Sequence, residues 1–174
     1  YVCGNAQLMG GEIHFDIHPH PFDWLHFENS FSYVKATQNH QPDSTKYLPF
    51  TPAAKLQTTI KIDVSNKHIN ALKNSYIKID IDNFFPQNDV YSASNTETPT
   101  PGYTLYNIGL GTDFTRNKKS ICSLFIALNN ATNKTYQSHL SRLKYADTNN
   151  VTNRDGIFNM GRNLTFKLLI PFEF

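Results

Sequence analysis

The sequence predicts an all-β chain, about seven antiparallel strands forming a segment of a transmembrane β-barrel. Three observations predict it. Apolar and polar residues alternate with period two along most of the chain, the connections between alternating runs are by turns short and long, and aromatic residues concentrate near run ends. Period two sends successive side chains to opposite sides of a strand. Short turns paired with longer loops are the connectivity of a barrel that crosses a membrane.

Ile13, Phe15 and Ile17 alternate with His14, Asp16 and His18, after a phase shift at Gly10-Gly11 where a bulge is expected. Leu25, Phe27, Phe31 and Tyr33 alternate with His26, Glu28, Ser30 and Ser32. Leu56, Thr58, Ile60, Ile62 and Val64 face away from Lys55, Gln57, Thr59, Lys61 and Asp63. Ile77, Ile79 and Ile81 alternate with Lys78, Asp80 and Asp82. Tyr106, Ile108, Leu110, Thr112 and Phe114 oppose Asn107, Gly109, Gly111 and Asp113. Cys122, Leu124, Ile126 and Leu128 alternate with Ser123, Phe125, Ala127 and Asn129. The last run sets Leu164, Phe166, Leu168, Ile170, Phe172 and Phe174 against Asn163, Thr165, Lys167 and Glu173, with Leu169 and Pro171 out of pattern. A proline near a strand end is tolerated, because its missing N–H can point away from the ladder. No stretch reads as a convincing helix, although Lys67–Asn74 has room for one helical turn.

The connections 18–23 and 115–120 are short, 65–75 is intermediate, and 38–52, 86–102 and 130–162 are long. Ending the last strand in the periplasm makes every longer connection extracellular. Single-chain bacterial barrels have even strand numbers, so an odd number implies a chain that begins inside a barrel.

Composition narrows the function classes. The chain has 174 residues, 39% hydrophobic and 17% charged, with thirteen Phe and nine Tyr. No window approaches the length of a transmembrane helix, but a strand that is apolar on one face gives only a weak hydropathy signal. The net charge of +2, with signs mixed, lacks the basic clustering that nucleic acid requires, so no nucleic-acid partner is expected. Cys3 and Cys122 fit no metal or redox spacing and read as small packed side chains. The start at Tyr1, without basic and apolar leader regions, suits a mature terminus or an internal fragment.

Seven amphipathic strands also fit a soluble cell-surface β-sandwich that binds glycan or host protein. Three features favour the barrel. Lys61, Asp63, Lys78, Asp80, Asp82, Glu28 and Asp113 place charge mid-strand, as a water-filled lumen would. Phe22, Trp24, Tyr33, Phe84, Phe85, Tyr103, Phe166, Phe172 and Phe174 are expected near strand ends, where interfacial girdles belong. The sequence also stops on an aromatic in mid-alternation, where soluble domains usually carry a polar tail.

His14-x-Asp16-x-His18-x-His20 has the residue types of a metal site. Alternate strand side chains stand roughly 7 Å apart, however, and two prolines set a tight turn here, so no metal ligand is assigned. No nucleophile elbow, convergent carboxylate pair or phosphate loop is present, and the chain reads as a non-enzyme without a cofactor.

Five segments, "AQLMGGEIHFDIHPHPFDWLHFENSFSYV" (6–34), "YLPFTPAAKLQ" (47–57), "TPTPGYTLYNIGLG" (98–111), "ALNNATNKTYQSHLSRLKY" (127–145) and "GIFNMGRNLTFKLLIPFEF" (156–174), carry a resemblance in their order and spacing. The chain resembles the C-terminal part of the barrel of a TonB-dependent receptor of the Gram-negative outer membrane, in its Bacteroidetes form. The resemblance implies roughly the last seven strands of a 22-stranded barrel. The N-terminal strands, the plug and the TonB-contacting box would lie outside residues 1–174. It implies uptake of a scarce substrate, most readily an iron–siderophore or related metal chelate, with TonB acting only through the plug. It also implies that Phe174, with Phe172, Ile170 and Leu168 behind it, is a signal for the barrel-assembly machinery, read by strand addition. Tyr136, His139, Arg142, Lys144 and Tyr145 in the longest connection are the expected contacts for an anionic chelate, since Arg and Lys favour carboxylates and phenolates.

Overall fold

Alternation leaves every strand with two chemically different faces, and antiparallel pairing brings like faces together only when the register is right. In a computed structural model, residues 4–64, 71–117 and 119–171 are described. They contain β1 (Ala6–Ile17), β2 (Leu25–Gln38), β3 (Lys55–Val64), β4 (Leu72–Phe84), β5 (Tyr103–Arg116), β6 (Lys119–Asn129) and β7 (Asn163–Leu169). Two single 3-10 turns occur, at Ala93–Asn95 and Arg142–Tyr145. The seven strands form one antiparallel sheet in sequence order, each paired with its chain neighbours. This is one sheet, not two packed against each other, which removes the sandwich alternative.

The register aligns the apolar positions into rows that cross the sheet. Ile17 pairs with Phe27, Phe27 with Ile60, Ile60 with Ile79, Ile79 with Ile108, Ile108 with Leu128, and Leu128 with Leu164. A second row runs from Leu25 through Ile62, Ile77, Leu110 and Ile126 to Phe166. Cross-strand aliphatic and aromatic pairs of this kind contribute about 0.2–1 kcal/mol each. A one-residue slip in any strand would move its apolar set onto the polar face.

Several local expectations change. The β1–β2 register is continuous through Gly10-Gly11, so no bulge forms there. Gly10 is instead needed for a close approach: a Cβ at this position would lie 2.6 Å from the carbonyl oxygen of Tyr33. The irregularities fall between Lys73 and Tyr76, where Asn74 takes a positive φ, and between Phe114 and Thr115. Lys73 and Asn74 belong to β4 rather than to a helical turn, while residues 67–70 lie outside the described residues. Phe166 stands in the middle of β7 opposite Ile126, not at a strand end. Phe84 and Tyr103 do lie at strand ends, but by parity on the face of Asp82 and Asn107, away from the apolar rows. Phe172 and Phe174 lie outside the described residues, and β7 ends at Leu169.

The sheet holds almost no core of its own. Among the described residues only Ala36 and Val90 are buried hydrophobic side chains, and the apolar face carries Ile13, Phe15, Ile108, Leu110, Leu164 and Phe166 exposed. Burial concentrates at the end of the sheet where the three long connections 39–54, 85–102 and 130–162 meet. The opposite end has the short turns, including 18–24, which contains the cis His20–Pro21 peptide.

Candidate functional site

The face opposite the apolar rows is a continuous polar wall. Lys55 bridges Asp82 at 2.8 Å, Lys78 bridges Asp80 at 2.9 Å and Lys61 bridges Asp63 at 3.0 Å. Hydroxyl and amide donors extend these pairs, with Thr59 donating to Asp80 at 2.7 Å and Asn107 to Asp82 at 3.0 Å. Ser123 donates to Asp113 at 2.6 Å on the same face. These paired charges are tolerated in a half-exposed sheet because each finds its partner two residues along its own strand or diagonally across on the next one. Near the β1–β2 edge the wall opens into a groove lined by Glu12, His14, Asp16, Glu28, Ser30 and Gln57.

At the long-loop end, the connections are tied together around Glu97. Its carboxylate is almost fully buried and accepts the backbone N–H of Phe50 at 2.6 Å and of Tyr91 at 2.9 Å. His139, only 4% exposed, places Nδ1 2.8 Å from the Thr100 hydroxyl and Nε2 3.7 Å from the Glu97 carboxylate. That Nε2 makes no hydrogen bond. Burial lowers the His139 pKa below the ordinary histidine value; Glu97 opposes the shift and Lys144 reinforces it. Gln87, also buried, donates to the carbonyls of Thr51 and Pro52 and accepts from Asp89 N–H.

The structure brings the five expected loop residues, Tyr136, His139, Arg142, Lys144 and Tyr145, to this end, each with protein partners. Arg142 lies over the Phe50 ring at 4.5 Å. Lys144 donates to the Thr98 carbonyl at 2.7 Å and the Thr100 hydroxyl at 2.6 Å, and the Tyr145 hydroxyl accepts Thr98 N–H at 3.2 Å. Tyr136 packs on Tyr103, which stacks on Phe84, forming an aromatic column that continues the polar face outward. Burial raises the Tyr136 pKa above the usual phenol value, with a smaller contribution from Asp82. Of the terminal set, Leu168 and Ile170 are exposed, Leu168 in line with Leu124.

Sequence reasoning missed Glu97, Thr100 and Gln87. They sit in a stretch of Asn, Thr and Pro without periodicity, where nothing signals burial. It also missed a cluster at the opposite end. His18 and His26 bring their Nδ1 atoms to 2.7 Å, and His26 Nε2–H donates to Asp63 Oδ2 at 2.7 Å. That contact was legible, because the two histidines flank the first turn at matching positions. Among the described residues, no group of three or more His, Cys, Asp or Glu converges as a complete metal cage.

One open antiparallel sheet with an exposed apolar face, a charged opposite face and a loop-capped end defines the architectural class. No family model matches the sequence, and no curated protein matches it. Among solved structures, the chain is similar in fold to one titled "Copper transporter OprC". The TM-score is 0.75 at 17% identity, over 97% of this chain and 24% of that one. The chain thus spans about a quarter of that transporter's length, and the likeness is one of fold.

Proposed function

We propose that the chain is a wall segment of an outer-membrane transport barrel, the C-terminal part of a TonB-dependent receptor that takes up a metal chelate. The observation that carries this reading is the pair of unbroken apolar rows on an exposed face, backed by a wall of charge. Water on both sides would leave the rows without a partner, whereas lipid on one side and a lumen on the other suits both faces. The fold likeness to a segment of a transporter supports the same reading. Edges β1 and β7 then pair with the remaining strands of a 22-stranded barrel, because unpaired backbone groups are costly in hydrocarbon. The long loops face outward, and an iron–siderophore or related chelate meets Tyr136, Arg142, Lys144 and Tyr145 at their rim, while His139, expected among these contacts, is buried beneath them. Energy reaches the barrel from TonB through a plug.

The reading is tested by placing single cysteines at adjacent positions of β4. A label at Ile79→Cys should be quenched by brominated lipid and one at Asp80→Cys by an aqueous quencher. Equal quenching at both positions by the aqueous agent would overturn it. For the proposed assembly signal of Phe174, Phe172, Ile170 and Leu168, Phe174→Ala should lower the amount of receptor in the outer membrane and leave the ligand affinity of surviving molecules unchanged. Normal membrane levels would remove that role.

A further inference from the structure

We infer that His18 and His26 form a two-imidazole site for a first-row transition-metal ion at the short-turn end of the polar wall, oriented by Asp63. Asp63 Oδ2 accepts His26 Nε2–H at 2.7 Å, while Lys61 holds the other carboxylate oxygen at 3.0 Å. With its proton committed to Nε2, His26 presents a bare Nδ1 lone pair. A carboxylate behind an imidazole is the arrangement that fixes ring orientation and raises basicity in metal-binding histidines. In the ion-free pair that lone pair accepts His18 Nδ1–H at 2.7 Å, with the two rings nearly perpendicular at 79°. An ion bound between them takes His18 in its other neutral tautomer, with the proton on Nε2 and the Nδ1 lone pair free.

Two nitrogens bound to one ion at about 2.0–2.1 Å stand roughly 3.3 Å apart at a tetrahedral angle, so the pair needs to open by about half an ångström. His18 is exposed and lies one residue past the end of β1, which leaves it room to do so. Lys61 is the register partner of His26, but its ammonium is turned onto Asp63 rather than toward the pair.

The next same-face position gives an independent reason for a cation. Asp16 and Glu28 are direct cross-strand neighbours, and among the described residues neither has a cationic partner. Like charges placed opposite each other destabilise a sheet unless something neutralises them. Imidazole donors beside carboxylates favour ions of borderline softness such as Cu2+, Zn2+ or Ni2+ over Mg2+ or Ca2+. Two protein donors leave coordination positions open to water, which suits a held ion that must also leave. The inference depends on the barrel-wall reading only for which compartment the site faces.

The test uses Cu2+ added to the full chain in detergent, read by electron paramagnetic resonance and by competition with a chromogenic chelator. One site with two imidazole nitrogens is expected. His18→Ala and His26→Ala should each remove one nitrogen and weaken binding at least tenfold, while His20→Ala should change neither. Asp63→Asn should keep both nitrogens and weaken binding about tenfold, the signature of an orienting partner. Circular dichroism checks that each variant retains its sheet, and His26→Asn, which preserves polarity, replaces any alanine variant that does not. No Cu2+ binding by the unmodified chain would overturn the site. So would unchanged nitrogen coupling and affinity in folded His18 and His26 variants. Neither outcome touches the lipid-quenching result at Ile79 and Asp80.

Discussion

The sheet and the loop cluster solve the same problem in opposite ways. The sheet satisfies its backbone through ladders and leaves its apolar rows exposed, so a hydrophobic environment must come from outside the chain. The loop cluster buries polar groups, with Glu97 taking two backbone N–H donors and Asn130 binding the backbone of Lys134 through both ends of its amide. Loops that carry few apolar residues can still be ordered if most buried donors and acceptors find partners, as they do here with His139 Nε2 the exception among the loop side chains described. Apolar substitution tolerance in the sheet and polar substitution tolerance in the loops should therefore differ in kind.

Charge placed in the apolar rows should have the largest effect on the sheet. Ile60, between Phe27 and Ile79, is near the middle of the sheet, and Ile60→Arg should cost about 2–4 kcal/mol in a bilayer folding titration. Its chain neighbour Lys61 faces the polar side, and Lys61→Ala should cost less than about 1 kcal/mol, as its bridge to Asp63 is partly exposed. Comparable costs at the two positions would remove the distinction between faces.

A smaller but localised effect is expected at Glu97. Glu97→Ala leaves the part-buried N–H groups of Phe50 and Tyr91 without their acceptor, at up to about 1–3 kcal/mol for each unsatisfied group. Hydrogen exchange should accelerate in all three long connections and stay unchanged in β3 to β6. Acceleration spread evenly through the sheet would show that the two regions are one cooperative unit.

The smallest effect is a pH dependence confined to the loops. Burial favours the neutral imidazole of His139 and holds its folded pKa below the ordinary histidine value. The unfolded loop therefore binds a proton more readily than the folded one, so the stabilising contribution is complete above about pH 6.5 and is lost as the pH falls through the lowered folded value. Protection of the Phe50 and Tyr91 amides should decline with acidification, and His139→Gln should flatten that decline. An unchanged slope in the variant would assign it to another group.

What the sequence determined by itself is the two-faced strand. Residues such as Ile77, Ile79 and Ile81 alternating with Lys78, Asp80 and Asp82 allow one division of faces, and tight turns between consecutive runs allow antiparallel neighbours. His18 and His26 flank the first turn in the sequence, but it is the β1–β2 register that brings them together. Where the non-periodic segments meet follows from the three-dimensional packing alone. Glu97, Thr100 and His139 come together from connections with no repeating pattern, because long-range contacts between loops depend on where β4, β5, β6 and β7 deliver their ends. Gly10 shows the same limit on a small scale: its phase shift looked like a bulge, and only the proximity of the Tyr33 carbonyl revealed a site with no room for a side chain.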